Sequence, residues 1–351
     1  MLSELLLQFK NDISFFNLFE YLTFKTAISA ITALIISFII GPLTIKKLQQ
    51  YQIGEEIRSN GPESHLAKRG TPTMGGVIII LSTLLPTLLF SDLSNIMVLI
   101  IALSTLWMGL IGFIDDYLKI IIKAKDGMIA RYKMIGQILL GVIISYVIIN
   151  SDDFNGFNTK TTIPFFKNFE FDFGIFYPLL VILVITATSN AVNLTDGLDG
   201  LAIGLLAICF TVFTAISYIS GRVDFSDYLN ILYLPKASEL SIFASAAVGA
   251  SLGFLWFNSS PAEIFMGDTG SLSLGAALGT MSILLKKELL LFIIGGVFVM
   301  ETLSVIIQVS FFRYTKYKYG AGKRFFKMAP IHHHFELSGI CLLYTSDAAD
   351  E

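Results

Sequence analysis

Nine apolar runs, each about 17 residues or longer and nearly free of charge, occupy most of the chain. They lie near 23–45, 74–91, 93–114, 134–150, 173–192, 198–219, 240–258, 270–285 and 289–312. A helix needs about 20 mostly apolar residues to cross about 30 Å of hydrocarbon, so the runs dictate a membrane protein. Within the bilayer every backbone N–H and C=O must be satisfied by the chain itself, which leaves helices or a closed barrel. The short segments of alternating polarity that a barrel requires are absent. The expected fold is all-α, a polytopic transmembrane helix bundle with nine spans. Composition agrees: 54% of residues are hydrophobic and only 15% are charged, far from the balance of a soluble domain.

The net charge of −3 says little beside the distribution of Lys and Arg. The loops after the first, third and ninth runs hold 16 of the 24 basic residues, among them Lys46, Lys68, Arg69, Lys119, Lys133, Arg313 and Lys327. The positive-inside rule then places the odd-numbered loops in the cytoplasm and the N-terminus outside. Residues 1–20 lack the basic start and small-residue cleavage site of a signal peptide and read as an amphipathic, interfacial lead-in. Cys209 lies within an apolar run and Cys341 in the tail, so no disulfide framework is expected. Neither a linker nor a fixed-period repeat interrupts residues 1–339, which read as one membrane-embedded domain. The tail "ICLLYTSDAADE" (340–351) breaks with what precedes it and reads as foreign or truncated sequence.

Chemistry concentrates on the cytoplasmic side. The even-numbered loops are short or bland. The largest, 151–172, is aromatic and is expected to be structural, with a small hairpin turning at Asn155 and Gly156. The odd-numbered loops combine glycines with carboxylates, amides, Lys or His: "GPESHLAKRGTPTMGG" (61–76), "DDYLKIIIKAKDGMIARYK" (115–133), "NAVNLTDGLDG" (190–200), "FNSSPAEIFMGDTGS" (257–271) and "KRFFKMAPIHHHFE" (323–336). Facing one compartment, they can converge on one site.

Asp115 and Asp116 end the third run. A membrane exit is served better by Lys or Arg, whose stems snorkel and whose charge suits the anionic leaflet, so two adjacent carboxylates there are functional candidates. Asn193, Asp196 and Asp199 follow at spacings of three, which would put them on one face of a helical turn; N-capping of the next helix is the plainer role for Asp196 or Thr195. Asp268, between Gly267 and Gly270, is likewise a plausible N-cap. With Glu263 these acids make several carboxylate groups on one side of the membrane, a hard-oxygen set that suits Mg²⁺ completed by phosphate oxygens and water. Lys68, beside a Thr/Gly-rich turn, is a phosphate-binding candidate, and the turn lacks the P-loop pattern. His332, His333 and His334 are consecutive and so do not share a helical face, which argues against one zinc ion and for contacts to phosphate. Glu301, inside the ninth run, is open to helix pairing with Thr302, Ser304 or Gln308 or to a functional role.

The segments "GPESHLAKRGTPTMGG", "GFIDDYLK", "NAVNLTDGLDGLA", "FMGDTGSLSLG" and "MAPIHHHFE" closely resemble the phospho-N-acetylmuramoyl-pentapeptide transferase family, within the polyprenyl-phosphate N-acetylhexosamine-1-phosphate transferase superfamily. The resemblance runs over residues 20–339. The acidic segments belong to the superfamily, whereas the triple His and "AKRGTPTMGG" point to the narrower family. It implies a Mg²⁺-dependent transfer of phospho-MurNAc-pentapeptide from UDP-MurNAc-pentapeptide to undecaprenyl phosphate, giving lipid I and UMP, in the lipid bilayer. Neither a nucleic-acid partner nor a particular oligomer follows, and a homodimer is left open. By the same resemblance Asp268 would ligand Mg²⁺. Asp115 would act as base toward the lipid phosphate, or a carboxylate would attack the β-phosphate. Asp116 would assist positioning, and His332 with His333 and His334 would contact phosphate or sugar. The nucleotide pocket would draw on Lys68, Asn193, Asp196, Asp199, Asn258 and Phe265, with Phe265 stacking on uracil. The family's tenth helix would follow the His run. Two other readings compete: a sister transferase that moves GlcNAc-1-phosphate, and an ion-coupled transporter, which calls for mid-membrane acids and internal symmetry.

Overall fold

The structure is a computed structural model that describes residues 2–50, 71–122, 127–166 and 169–338. Helix α1 (Leu2–Gln8) and a 3₁₀ turn (Ser14–Glu20) lead in. The bundle follows as α2 (Leu22–Gln50), α3 (Gly76–Phe90), α4 (Ile96–Ile120), α5 (Ala130–Asn150), α6 (Tyr177–Thr195), α7 (Leu201–Ser220), α8 (Val223–Leu229), α9 (Leu240–Asn258), α10 (Gly267–Leu284), α11 (Leu291–Ile294), α12 (Gly296–Tyr319) and α13 (Ile331–Glu336). Each of the nine expected runs becomes a helix, and seven helical segments are long and apolar enough to cross a membrane. The chain is thus a mostly helical, multi-pass membrane protein.

The other two runs depart for a physical reason. Helix α3 is only 15 residues long. Helix α10 ("GDTGSLSLGAALGTMSIL") is buried from Thr269 to Leu284 on every face. Its small residues let neighbouring backbones come close, the usual basis of helix association in membranes, and a helix that meets no lipid has no need of bulky apolar side chains. Around it α3, α4, α6 and α7 build a continuous core that includes Ile78, Met108, Ile185, Leu206 and Leu278. A smaller cluster of Phe19, Phe90 and Ile242 fastens the lead-in to the opposite end.

The 151–172 loop does hold a hairpin, but it does not turn at Asn155 and Gly156. Strands β1 (Lys160–Thr162) and β2 (Glu170–Asp172) pair antiparallel, with Thr161 opposite Phe171; residues 155–159 form turns before β1. The hairpin is clipped to the α10–α11 turn, where Thr162 N and Oγ1 donate to the Lys286 carbonyl at 3.2 and 2.7 Å. The buried Lys286 ammonium donates to the Asn158 carbonyl at 2.9 Å and to the Tyr177 hydroxyl at 2.7 Å. The equally buried Glu288 accepts from Thr161 Oγ1.

Candidate active site

Backbone proximity builds the centre. Gly112 of α4 lies so close to α10 that a Cβ there would stand 2.2 Å from the Asp268 carbonyl oxygen. On the other side a Cβ on Gly76 would stand 2.0 Å from the Gly270 nitrogen. Since residues three and four apart share a helix face, close approach at Gly112 delivers Asp115 and Asp116 to the start of α10. The strand-like segment before α3 is strapped to the same place: Phe265 N donates to the Pro72 carbonyl, Gly75 N to the Phe265 carbonyl and Gly76 N to the Met266 carbonyl, at 2.8–2.9 Å.

Asp115 and Asp116 lie within the protein, 0% and 3% exposed, in the last turns of α4, which continues to Ile120. Asp116 caps α10. Its Oδ1 accepts from Asp268 N at 3.1 Å, and its Oδ2 from Thr269 N at 2.9 Å and Thr269 Oγ1 at 2.6 Å. A carboxylate at a helix N-terminus satisfies free amides and complements the dipole. Asp268 is therefore the capped residue and not the cap. Its Oδ1 accepts from Asn193 Nδ2 at 2.7 Å. Its Oδ2 meets Lys119 Nζ at 3.0 Å and Lys133 Nζ at 2.5 Å. The same ammoniums reach Asp115 Oδ2 at 2.6 and 2.8 Å, and Met128 N donates to Asp115 Oδ1 at 2.6 Å.

One oxygen from each of Asp115, Asp116 and Asp268 falls within 4.8 Å of the others. Three hard carboxylates at that spacing fit a divalent cation of the Mg²⁺ kind. Because both Asp116 oxygens already serve α10, Asp115 and Asp268 are the better placed ligands. Two lysines against three carboxylates leave the cluster one formal negative charge; a bound divalent cation would reverse that sign and favour anions.

The other motifs converge beside this cluster with altered roles. Asn193, Asp196 and Asp199 do not share a helical face: α6 ends at Thr195 and Gly200 takes φ 74°, so residues 196–200 form a turn. Asn193 donates to Asp268 and, at 2.8 Å, to Ser271 Oγ. Asn258 sews the turn to the 259–266 loop, its Oδ1 accepting from Gly200 N and its Nδ2 donating to the Ile264 carbonyl. Asp199 Oδ2 accepts from Ala262 N at 3.3 Å, Phe265 is half-buried, and Glu263 is exposed away from the acidic cluster. A Cβ on Gly197 would stand 2.5 Å from His332 Nε2, so the His run packs on this turn. The three histidines have separate partners: Nδ1 of His332 meets Glu301 Oε2 at 3.0 Å, Nδ1 of His333 meets Glu336 Oε2 at 3.1 Å, and Nδ1 of His334 accepts from Lys327 N at 3.1 Å. The Glu301 carboxylate therefore pairs with His332, while Ser304 Oγ donates to the Glu301 backbone carbonyl at 2.6 Å. Lys68 lies outside the described residues. Sequence reasoning missed Lys119 and Lys133 as bridges; the spacing of Asp115 and Lys119 was the available signal, whereas Lys133 carried none.

An apolar cavity of about 180 Å³ opens between α6, α10, α11 and α12, lined by Leu183, Val192, Leu278, Leu291, Phe298 and Leu303 among others. Thr188, Glu288 and Thr302 supply its few polar groups.

Fold and centre together define a class: a polytopic membrane protein in which carboxylates and lysines from separate helices meet at one helix start. Comparison sharpens it. Residues 98–286 match the family model "Glycosyl transferase family 4", and residues 68–80 match "Phospho-N-acetylmuramoyl-pentapeptide-transferase signature 1". A protein of Citrifermentans bemidjiense named phospho-N-acetylmuramoyl-pentapeptide-transferase is 50% identical over 344 residues, which cover 97% of this chain and 92% of that protein. Proteins of the same name from Chlorobaculum parvum and Parabacteroides distasonis are 47% identical over 320 residues and 44% identical over 359, covering 91% and 92% of this chain and 87% and 86% of theirs. The chain belongs to the phospho-N-acetylmuramoyl-pentapeptide-transferase family.

Proposed function

We propose that this protein transfers phospho-MurNAc-pentapeptide from UDP-MurNAc-pentapeptide to undecaprenyl phosphate, releasing UMP, at the cytoplasmic face of a bacterial inner membrane. The observation that carries the reading is the meeting of Asp115, Asp268, Lys119 and Lys133 at the start of α10, in a helix bundle that also holds a cavity lined by apolar side chains. Such a cavity suits a stretch of a polyprenyl chain, and the charged centre suits its phosphate head.

In the reaction an oxygen of the lipid phosphate bonds to the β-phosphorus of the nucleotide sugar, and the bond from that phosphorus to the bridging oxygen breaks, so that UMP leaves with the electron pair. The reactants are both anions, and the barrier is largely one of charge and in-line placement. Mg²⁺, when bound by Asp268 with Asp115, supplies neutralisation of the diphosphate. Lys119 and Lys133 supply mobile positive charge; with the carboxylates engaged elsewhere, their ammoniums turn to phosphate oxygens. Asn193 holds Asp268 in orientation, and Asp116 fixes the start of α10. The lipid phosphate is mostly ionised near neutral pH and needs little help from a base, so Asp115 serves charge placement more than proton removal. Asp196, Asp199, Asn258 and Phe265 frame the nucleotide side, to which Lys68 is assigned by its motif.

The test is to give purified protein in detergent, without any ion gradient, labelled UDP-MurNAc-pentapeptide or labelled UDP-GlcNAc together with undecaprenyl phosphate. Labelled lipid and UMP from the first donor are expected. Product from UDP-GlcNAc alone would move the protein to the sister activity, and failure to release UMP from either donor would remove the transferase reading.

A further inference from the structure

His332 is tied to a distant helix. Glu301, deep in α12 and 3% exposed, places Oε2 3.0 Å from His332 Nδ1 and 3.5 Å from the His332 backbone nitrogen. His332 itself is 1% exposed. An ionised carboxylate only accepts, so Nδ1 carries the proton in this pair, and the tautomer is set by the bond the ring already makes. Nε2 is the atom left with bonding capacity. It is buried and has no hydrogen-bond partner among the described residues, a condition that native proteins rarely leave unused.

What Nε2 faces is the turn between Asp196 and Asp199, at Gly197. That glycine is absent from the residues with positive φ, so its backbone conformation is open to other residues. What it provides is close approach: a Cβ would stand 2.5 Å from His332 Nε2, 3.1 Å from its Cε1 and 3.5 Å from His333 Nε2. Two independent features, a carboxylate behind the ring and a missing side chain before it, therefore aim one imidazole nitrogen.

We propose that Glu301 is a positioning residue: it holds His332 by Nδ1 so that Nε2, packed beside Gly197, meets a polar group of the nucleotide-sugar substrate seated at the 196–200 turn. The substrate in this statement rests on the function proposed above; the Glu301–His332–Gly197 arrangement does not.

Two measurements on the full-length protein in detergent separate those dependencies. Nitrogen NMR of histidine-labelled protein without substrate reports which ring nitrogen of His332 is protonated, with His332→Gln supplying the assignment. Initial rates of UMP release report the reaction. The wild type is expected to show Nδ1-protonated His332. Glu301→Gln retains an acceptor oxygen and is expected to keep that signature and a rate within about threefold, whereas Glu301→Ala loses a charge-assisted hydrogen bond and about tenfold or more in rate. Gly197→Ala is expected to match Glu301→Ala, and the double variant to be no slower than the slower single one, since both displace the same ring. Three results would overturn the proposal: a wild-type rate in Glu301→Ala, multiplied losses in the double variant, or equal rate and melting-temperature losses in Glu301→Gln and Glu301→Ala. If the wild type shows the signature yet transfers nothing from UDP-MurNAc-pentapeptide, the functional reading fails and the pairing survives.

Discussion

Asp115 and Asp116 are neighbours in sequence, but a helix turns about 100° between them, and they do different work. Asp115 faces the lysines and Asp268; Asp116 faces the amides of α10 and uses both oxygens on Asp268 N, Thr269 N and Thr269 Oγ1. Replacement therefore separates them. Asp116→Asn removes the charge at the helix start and one acceptor, and should cost about 1 kcal/mol or more of stability, read as a lower melting temperature in detergent; Asp115→Asn should lower UMP release with a smaller melting shift. That this acidic pair is engaged by other parts of the chain was legible from the sequence, because paired acids after an apolar run need a reason. Their division of labour was not, because the capped helix begins 152 residues later in the chain. For the same reason Asn193, legible as a site residue, could not be seen to hold Asp268.

At the scale of elements, the glycine contacts decide the site. Gly112 and Gly76 let α4 and α3 touch the backbone of α10, and that contact sets the distance between Asp115 and Asp268. Gly112→Ala is expected to cost about 1–3 kcal/mol through overpacking and to reduce UMP release by more than the stability loss explains. Gly204→Ala is the control, since a Cβ there meets nothing within 4 Å; it should leave both rate and melting temperature near wild type. The lipid-facing helices were legible as apolar runs because lipid demands bulk hydrophobicity. The limits of that signal show at α12, where the helix runs on to Tyr319 beyond its apolar stretch, and at residues 196–200, where regular spacing suggested a helical face that Gly200 ends.

On the scale of the whole molecule, the two ends of the bundle differ in kind. One end gathers the site loops; the other is closed by the hairpin and by Lys286 and Glu288. Burial pulls the Lys286 ammonium down to about 8 and pushes the Glu288 carboxyl up. Between about 8 and the ordinary lysine range the unfolded chain holds more protons than the folded one at Lys286, so its contribution to stability rises as pH climbs through that window. Glu288 acts in the opposite sense on the acid side. Lys286→Met leaves the Asn158 carbonyl and the Tyr177 hydroxyl short of a donor, and should lower stability by about 1–3 kcal/mol. It should also flatten the alkaline rise in melting temperature, with little effect on the rate per folded molecule. This clip was not legible, because it depends on a hairpin whose turn lies after Gly156 and on a lysine buried between two helices. The convergence of the site loops was, since loops rich in glycine and charge on one side of a membrane have one place to meet.

Manganese titration followed by electron paramagnetic resonance, run beside UMP release on wild type and Asp268→Asn, tests most directly the claim that Asp115 and Asp268 hold a divalent cation for phosphoryl transfer. The wild type should bind one Mn²⁺ whose occupancy tracks the rate, and Asp268→Asn should lose both together. Equal Mn²⁺ binding by the two proteins, or a rate in Asp268→Asn that persists without divalent cation, would contradict it.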